Sequence, residues 1–155
     1  MNIKVYKIRP EAKLPVRAYQ TDAGMDLFYC PNGKRKLYDG TRDFFIPPRA
    51  SRVLSTGIKI EIPYGHMLEI KNKSGIASKR QLLVGACVVD SGYDGEIYVN
   101  LHNIGTETQT IKAGDKIAQA VLMPIVHCGV EEVFKDNLNQ NALRGAGGFG
   151  STGDK

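Results

Sequence analysis

With 155 residues, the chain has the length of one domain and, on folding, buries roughly two-thirds of the surface its unfolded form exposes. Its apolar share of 42% and charged share of 24% are ordinary for a globular protein and exclude a collagen-like repeat, a disulfide scaffold and a wholly disordered chain. A net charge of +5 suits an anionic ligand, a nucleic acid or plain solubility, so the placement of the charges has to decide.

Taken in order, Met1 to Lys7 contains no apolar run of signal-sequence type, which predicts neither export nor a membrane anchor. The segment from Cys30 to Asp43 reads as an extended hairpin whose Lys34, Arg35, Lys36 and Arg42 form a solvated basic loop. The remaining basic residues scatter among acids without interleaved aromatic platforms, which argues against a nucleic-acid surface. Ile58-Lys59-Ile60-Glu61-Ile62 and Ile97-Tyr98-Val99-Asn100-Leu101 alternate with period two and predict strands with one buried face. Pro47-Pro48, Pro63-Tyr64-Gly65, Gly92, Gly95, Gly105 and Ala113-Gly114-Asp115 punctuate them as turns.

The only helical stretch expected is a turn or two around Gly75 to Arg80. Ile117 to Met123 is apolar except for Gln119, which predicts a strand buried on both faces and an amide in need of a partner. Pro124 interrupts the strongest apolar run, Ala120 to Val126, so no membrane span is predicted there. From Asn137 to Lys155 the chain is polar and glycine-rich, the composition of a flexible tail. The expected organisation is an all-β domain over 1–136, a jelly-roll-like barrel or sandwich with one short helix, followed by a C-terminal tail over 137–155.

Cys30, Cys87 and Cys128 are odd in number and far apart, and His66, His102 and His127 lack ligand spacing. Neither set predicts zinc or a disulfide framework, and the thiols suit a reducing cytoplasm.

The tail carries the first chemical signal. Arg144-Gly145-Ala146-Gly147-Gly148-Phe149-Gly150-Ser151-Thr152-Gly153 combines glycines, which let backbone amides approach phosphate oxygens, with one guanidinium, one aromatic ring and two hydroxyls. It is not a Walker-type loop, because no lysine precedes Ser151 and no strand-to-helix context follows. On its own such an end reads first as a flexible terminus and only second as an anion clamp.

Four further segments stand in order along the chain: Ala23-Gly24-Met25-Asp26-Leu27, Lys73-Ser74-Gly75-Ile76-Ala77, Val88-Val89-Asp90-Ser91-Gly92-Tyr93-Asp94-Gly95-Glu96-Ile97, and Gly114-Asp115-Lys116-Ile117-Ala118-Gln119. With the tail, they resemble the five motifs of the trimeric dUTP pyrophosphatases. The resemblance implies a jelly-roll homotrimer with active sites shared between chains. It also implies Mg²⁺-dependent cleavage of dUTP to dUMP and pyrophosphate, which keeps uracil out of DNA and supplies dUMP for dTMP synthesis.

Carried onto this sequence, the resemblance makes Asp90 the base for the attacking water, a residue otherwise readable as a turn aspartate. Tyr93 packs under the sugar and leaves no room for a 2′-hydroxyl. Backbone groups of Ala86 to Val89 and of Gly95 to Val99 read uracil. Asp26 orients Mg²⁺ through coordinated waters while the substrate phosphates hold the ion. Lys73, Ser74, the amides of Gly75 and Ile76, and Gln119 grip the phosphates. Arg144 meets the γ-phosphate, Phe149 stacks on the base, and Gly150, Ser151 and Thr152 complete a lid.

Two departures from the family pattern stand out. Lys73 occupies a position usually held by arginine, keeping the charge but losing the planar fork. Cys87 stands where glycine is common, so its side chain is expected to point away from the base, as a small hydrophobe. The rival readings are a dCTP deaminase of related fold and a binding or regulatory module. The basic segment is the only feature favouring the second, and the sequence names no protein partner.

Overall fold

The computed structural model describes residues 2–33 and 43–138. Eleven strands and one α-helix are found among them: β1 (Lys4–Lys7), β2 (Met25–Phe28), β3 (Phe44–Ile46), β4 (Ser51–Ser55), β5 (Ile58–Glu61), β6 (His66–Lys71), α1 (Ser74–Arg80), β7 (Leu82–Val84), β8 (Val88–Asp90), β9 (Tyr98–Asn103), β10 (Gln109–Ile111) and β11 (Lys116–Pro124). They form four antiparallel sheets, ordered β2-β11-β6-β8, β4-β9-β7, β1-β5 and β10-β3. Apolar side chains from all four meet in one core that includes Leu27, Ile46, Leu54, Ile58, Leu68, Val99, Leu101, Ile111 and Ile117.

The period-two segments fold as their patterns require. Ile58 and Ile60 of β5 point inward with Lys59 and Glu61 between them, and Ile97, Val99 and Leu101 keep one inward phase through β9. The expected helix is present as seven residues. It ends where Gln81 turns into the left-handed region at φ 53° and donates its amide to Ile76 O. Lys79 and Arg80 sit in its last turn, at the negative end of the helix dipole.

Strand β11 corrects one expectation, since it is not buried on both faces throughout. Ile117, Ala118 and Ala120 are fully buried, whereas Val121, Leu122 and Met123 are only half-buried. The consecutive burial of Ile117 and Ala118 comes from a β-bulge, where the register against β2 shifts between Lys116 and Ala118. Beyond it the strand alternates, so its apolar sequence reflects a bulge followed by a half-covered outer face.

The compact body closes at Ile125, whose amide donates to Gly65 O at 2.9 Å. Residues 126–138 follow as an exposed arm, held near its start by the His127 ring stacked on Tyr64 with centroids 5.1 Å apart, and end in a single 3-10 turn at Lys135–Asn137. The arm exposes Val126 (90%), Val130 (100%), Phe134 (85%) and Leu138 (60%). The basic segment Lys34 to Arg42 lies outside the described residues. Among the described residues no helix is long and apolar enough to cross a membrane.

Candidate active site

The segment carrying Asp90 and Tyr93 is not a paired hairpin, despite its hairpin-like sequence. Strand β8 pairs with β6, while β9 pairs with β4 and β7, so the chain crosses between two sheets over residues 91–97. The two strands splay apart and leave a cavity of about 200 Å³ lined by Ile70, Ala86, Val88, Val89, Asp90, Tyr93, Glu96, Ile97 and Tyr98. That is below the ~300–1,000 Å³ typical of sites enclosing a whole drug-sized ligand, and suits a planar base with part of a sugar.

Because β8 is the last strand of its sheet, one row of its backbone N–H and C=O groups has no ladder partner. An open edge of that kind offers alternating donors and acceptors to a base. The β9 side is less open than expected. Ile97 N donates to Ile58 O at 2.8 Å, Ile97 O accepts from the Thr56 hydroxyl at 2.6 Å, and Tyr98 and Val99 lie in the β4 ladder. Backbone recognition on this strand therefore falls chiefly on Val88: the bond from Ile70 N to Cys87 O sets the ladder phase so that Cys87 and Val89 turn their groups toward β6, and Asp90 O is taken by Tyr93 N. Cys87 does not line the cavity, and its carbonyl accepts from Ile70 N at 2.7 Å.

Asp90 ends β8 with an exposed side chain. Its carbonyl accepts from Tyr93 N at 3.1 Å, closing a tight turn that brings the tyrosine ring back to the cavity. The Tyr93 hydroxyl donates to Glu96 O at 3.0 Å, laying the ring across Gly95, where a Cβ would collide with it.

A second cluster gathers the first, second and fourth motifs. In the pairing of β2 with β11, Asp26 stands opposite Gln119. Gly24 lies so close to the Gln119 amide that a Cβ there would collide with it. Gln119 Nε2 donates to Asn72 O at 2.8 Å, which supplies the partner its apolar strand demanded. Lys73 bonds Asp26 Oδ1, and Lys116 Nζ lies 2.7 Å from Oδ2 as an ion pair without a directed hydrogen bond. Asp26 is only 4% exposed. Burial raises its pKa, but the ammonium groups of Lys116 and Lys73 outweigh burial and hold the carboxyl below its usual range.

The cluster thus carries one net positive charge and faces an anion better than a bare cation. Ser74 and Gly75 are exposed at the start of α1. The Ile76 amide, expected to face a phosphate, donates instead to Lys73 O at 3.0 Å.

The two clusters do not meet within one chain. Asp26, Gln119 and Lys71 share one row across β2, β11 and β6, whereas Asp90 lies beside Met67, four residues further along β6 and on the far edge strand. Three strand spacings and four residues of rise separate them by about 20 Å. Arg144, Phe149, Gly150, Ser151 and Thr152 lie outside the described residues.

One buried network has no counterpart in the expectations from sequence. Glu96 accepts Gly57 N at 2.7 Å, Arg9 Nη1 at 3.2 Å and the Tyr98 hydroxyl at 3.1 Å, and it pairs again with Arg9 Nη2. Arg9 also donates to Cys30 O at 3.1 Å and Cys30 Sγ at 3.4 Å. Burial pushes the Glu96 carboxyl up, but Arg9, the Gly57 amide and Tyr98 outweigh it and hold the pKa low. Glu96 and Lys116 lie inside the motifs quoted above, yet only three-dimensional contact gives them a function. Arg9 lies in none, and no local signal marks it.

Both depressed carboxyls set a pH dependence. A group titrating lower in the folded than in the unfolded state stabilises the fold above the unfolded pKa, about 4 for these side chains, and loses that contribution as pH falls through the folded value. The thermal midpoint should therefore drop steeply below about pH 4. Glu96→Gln should start lower at neutral pH and fall less steeply; an unchanged slope would remove Glu96 from the account.

Comparison with known proteins agrees with this architecture. A dUTPase family model matches residues 10–153. The deoxyuridine 5′-triphosphate nucleotidohydrolase of Gloeothece citriformis is 40% identical over 155 residues, covering 99% of this chain and 97% of its own. That of Clostridium tetani is 39% identical, with 97% and 96% covered. The fold matches a mutant of the Staphylococcus bacteriophage 80alpha dUTPase solved with dUpNHpp, with a TM-score of 0.84 at 23% identity over 98% of both chains. A mutant dUTPase from phage phi11 of S. aureus, whose structure shows a structural Mg(II) ion, matches with a TM-score of 0.76 at 23% identity over 89% of this chain and 100% of that one. The two clusters sit on the motif segments of a jelly-roll β-fold, and by sequence over nearly its whole length the chain belongs to the dUTPase family.

Proposed function

We propose that the protein hydrolyses dUTP to dUMP and pyrophosphate, limiting uracil entry into DNA and supplying dUMP for dTMP synthesis. The observation that carries this reading is the base-sized cavity beneath the open edge of β8, with Asp90 and Tyr93 at its rim. Val88 offers its main-chain donor and acceptor to uracil, Val89 lines the cavity beside it, and the Tyr93 ring fills the space a 2′-hydroxyl would need. Asp90 takes a proton from the water whose oxygen bonds to the α-phosphorus, as the bridging P–O bond breaks and pyrophosphate leaves. Lys73, Ser74, Gly75 and Gln119 neutralise and orient the phosphates. Arg144, Phe149, Gly150, Ser151 and Thr152 close over them and exclude water.

Asp26 fits a Mg²⁺ ion held mainly by substrate phosphates. Its carboxylate stays ionised, but Lys73 and Lys116 already pair with its two oxygens, so it would meet the ion through coordinated water. Such an ion would supply charge neutralisation on the triphosphate. A phage dUTPase of matching fold carries a structural Mg(II) ion, which supports metal binding by this fold.

The separation of about 20 Å between the clusters supports a site shared between chains of a homotrimer, with Asp90 and Tyr93 from one copy facing Asp26, Lys73 and Gln119 of another. The arm's bare Val126, Val130 and Phe134 support contact with another copy as well. Three free cysteines are in keeping with a reducing cytoplasm.

Mixing variants tests the shared site. Asp90→Asn and the double variant Lys73→Met/Gln119→Ala should each be nearly inactive. Unfolded together and reassembled, they should regain a substantial fraction of dUTP hydrolysis, because some sites then draw only intact residues. No recovery in verified mixed oligomers would place all these residues in one chain's site.

A further inference from the structure

We infer that Arg9 and Glu96 form a positioning clamp that fixes the Tyr93 ring and thereby sets discrimination between deoxyribo- and ribonucleotides. The inference rests on the reading of Tyr93 as the residue beneath the sugar.

The ring is held at its far end by one bond, from its hydroxyl to the main-chain carbonyl of Glu96 at 3.0 Å. Its position is therefore only as well defined as that carbonyl. Residues 91–95 supply no regular ladder to hold it, since they cross between sheets. The peptide unit of that carbonyl is held on one side by Ile97 N, which donates to Ile58 O at 2.8 Å, and the side chain of residue 96 supplies the second anchor. The carboxylate is gripped by the Gly57 amide, by both terminal nitrogens of Arg9 and by the Tyr98 hydroxyl.

Arg9 is fixed in turn by the carbonyl and sulfur of Cys30, and the neighbouring Ile8 amide bonds Gly57 O at 2.8 Å. Four segments distant in sequence, around residues 8–9, 30, 57 and 96–98, thus converge on one carboxylate. The side chains of Arg9 and Glu96 are only 16% and 10% exposed, so water does not loosen the pair as it would a surface bridge. Glu96 and Tyr93 both line the base-sized cavity. Arg9 lies behind it, without a place in the lining, which is the geometry of a residue acting through another.

Discrimination against a 2′-hydroxyl is a steric test, and its sharpness depends on how little the ring can retreat. Releasing the carbonyl lets the ring yield, which admits the ribonucleotide and weakens the fit of the deoxyribonucleotide. Proton transfer at Asp90 is left alone, because its side chain makes none of these contacts and its bond to Tyr93 runs through the main chain.

The experiment measures kcat and KM for dUTP and UTP in wild type, Arg9→Lys, Arg9→Met, Glu96→Gln, Tyr93→Phe and the double variant Arg9→Met/Tyr93→Phe, with thermal midpoints alongside. Arg9→Met and Glu96→Gln should lower the dUTP/UTP ratio of kcat/KM by about tenfold, a modest share of the ~10²-fold that larger misplacements cost. The change should lie mainly in KM, and Arg9→Lys should retain part of the ratio. Tyr93→Phe should produce a similar loss, with the double variant no worse than the single ones.

A fallen midpoint with an unchanged substrate ratio, or additive losses in the double variant, would overturn the clamp and leave Arg9 and Glu96 as structural. A ratio that responds to Tyr93→Phe but not to Arg9 or Glu96 would do the same while sparing the reading of Tyr93. Indifference of the ratio to Tyr93→Phe would remove both. Should Arg9→Met fail to fold, Glu96→Gln and Tyr93→Phe still decide the matter.

Discussion

Replacing Asp90 with asparagine should lower kcat for dUTP hydrolysis by about 10²–10⁴ while leaving affinity for a non-hydrolysable dUTP analogue within a few-fold. The separation of the two effects follows from the position of the residue. Asp90 is the exposed last residue of β8, and its structural duties are main-chain ones, opposite Met67 in the ladder and as acceptor from Tyr93 N. An amide in place of the carboxylate keeps these contacts and the shape of the cavity rim, and removes only the group able to accept a proton. Single-turnover release of pyrophosphate, compared with calorimetric binding of the analogue, measures the two quantities separately. A parallel loss of binding and turnover would make Asp90 a binding residue, and near-normal turnover would remove it from the chemistry.

Deleting residues 144–155 should leave a folded protein of unchanged assembly with kcat/KM for dUTP reduced by at least about 10²-fold. Among the described residues the buried core runs from Ala12 to Ala120, and a polar, glycine-rich segment has little apolar surface to add to it, so the thermal midpoint should stay within a degree or two. Activity should fall because the deletion removes the Arg144 guanidinium, the Phe149 ring and the hydroxyls of Ser151 and Thr152 together. Arg144→Ala should reproduce most of the loss, since a charge-assisted fork on a terminal phosphate is worth more than stacking on an exposed base. Full activity after truncation would refute the lid, and a collapsed midpoint would show that the tail serves the fold.

Much of this architecture was legible in the sequence because the responsible forces act locally. Ile58 to Ile62 and Ile97 to Leu101 announce strands through alternation, and Gly75 to Arg80 was the only stretch suited to a helix. The convergence of Asp26, Lys73 and Gln119 is what the resemblance to the dUTP pyrophosphatases implies. Three features were not legible, for a common reason. The bulge at Ile117 and Ala118, the splaying of β8 from β9 and the clamp of Arg9 on Glu96 all depend on which strands become neighbours across long stretches of chain, and no window of sequence encodes that.

The splaying matters most. Val88 to Ile97 looks like a closed hairpin, in which backbone groups would pair with one another. Because the two strands join different sheets, the edge of β8 is left open to pair with a base instead. The roughly 20 Å between Asp90 and Asp26 within one chain has no local signal either, since motif order along the chain does not give distances across a sheet.

The most direct measurement is the rate of pyrophosphate release from dUTP, dTTP, dCTP and UTP at equal concentration with Mg²⁺ present. A cavity formed by the β8 edge and floored by Tyr93 predicts that dUTP is preferred over each of the others by orders of magnitude in kcat/KM, with dTTP rejected by its methyl group and UTP by its 2′-hydroxyl. Comparable rates for all four, or release of ammonia from dCTP in place of pyrophosphate from dUTP, would contradict it.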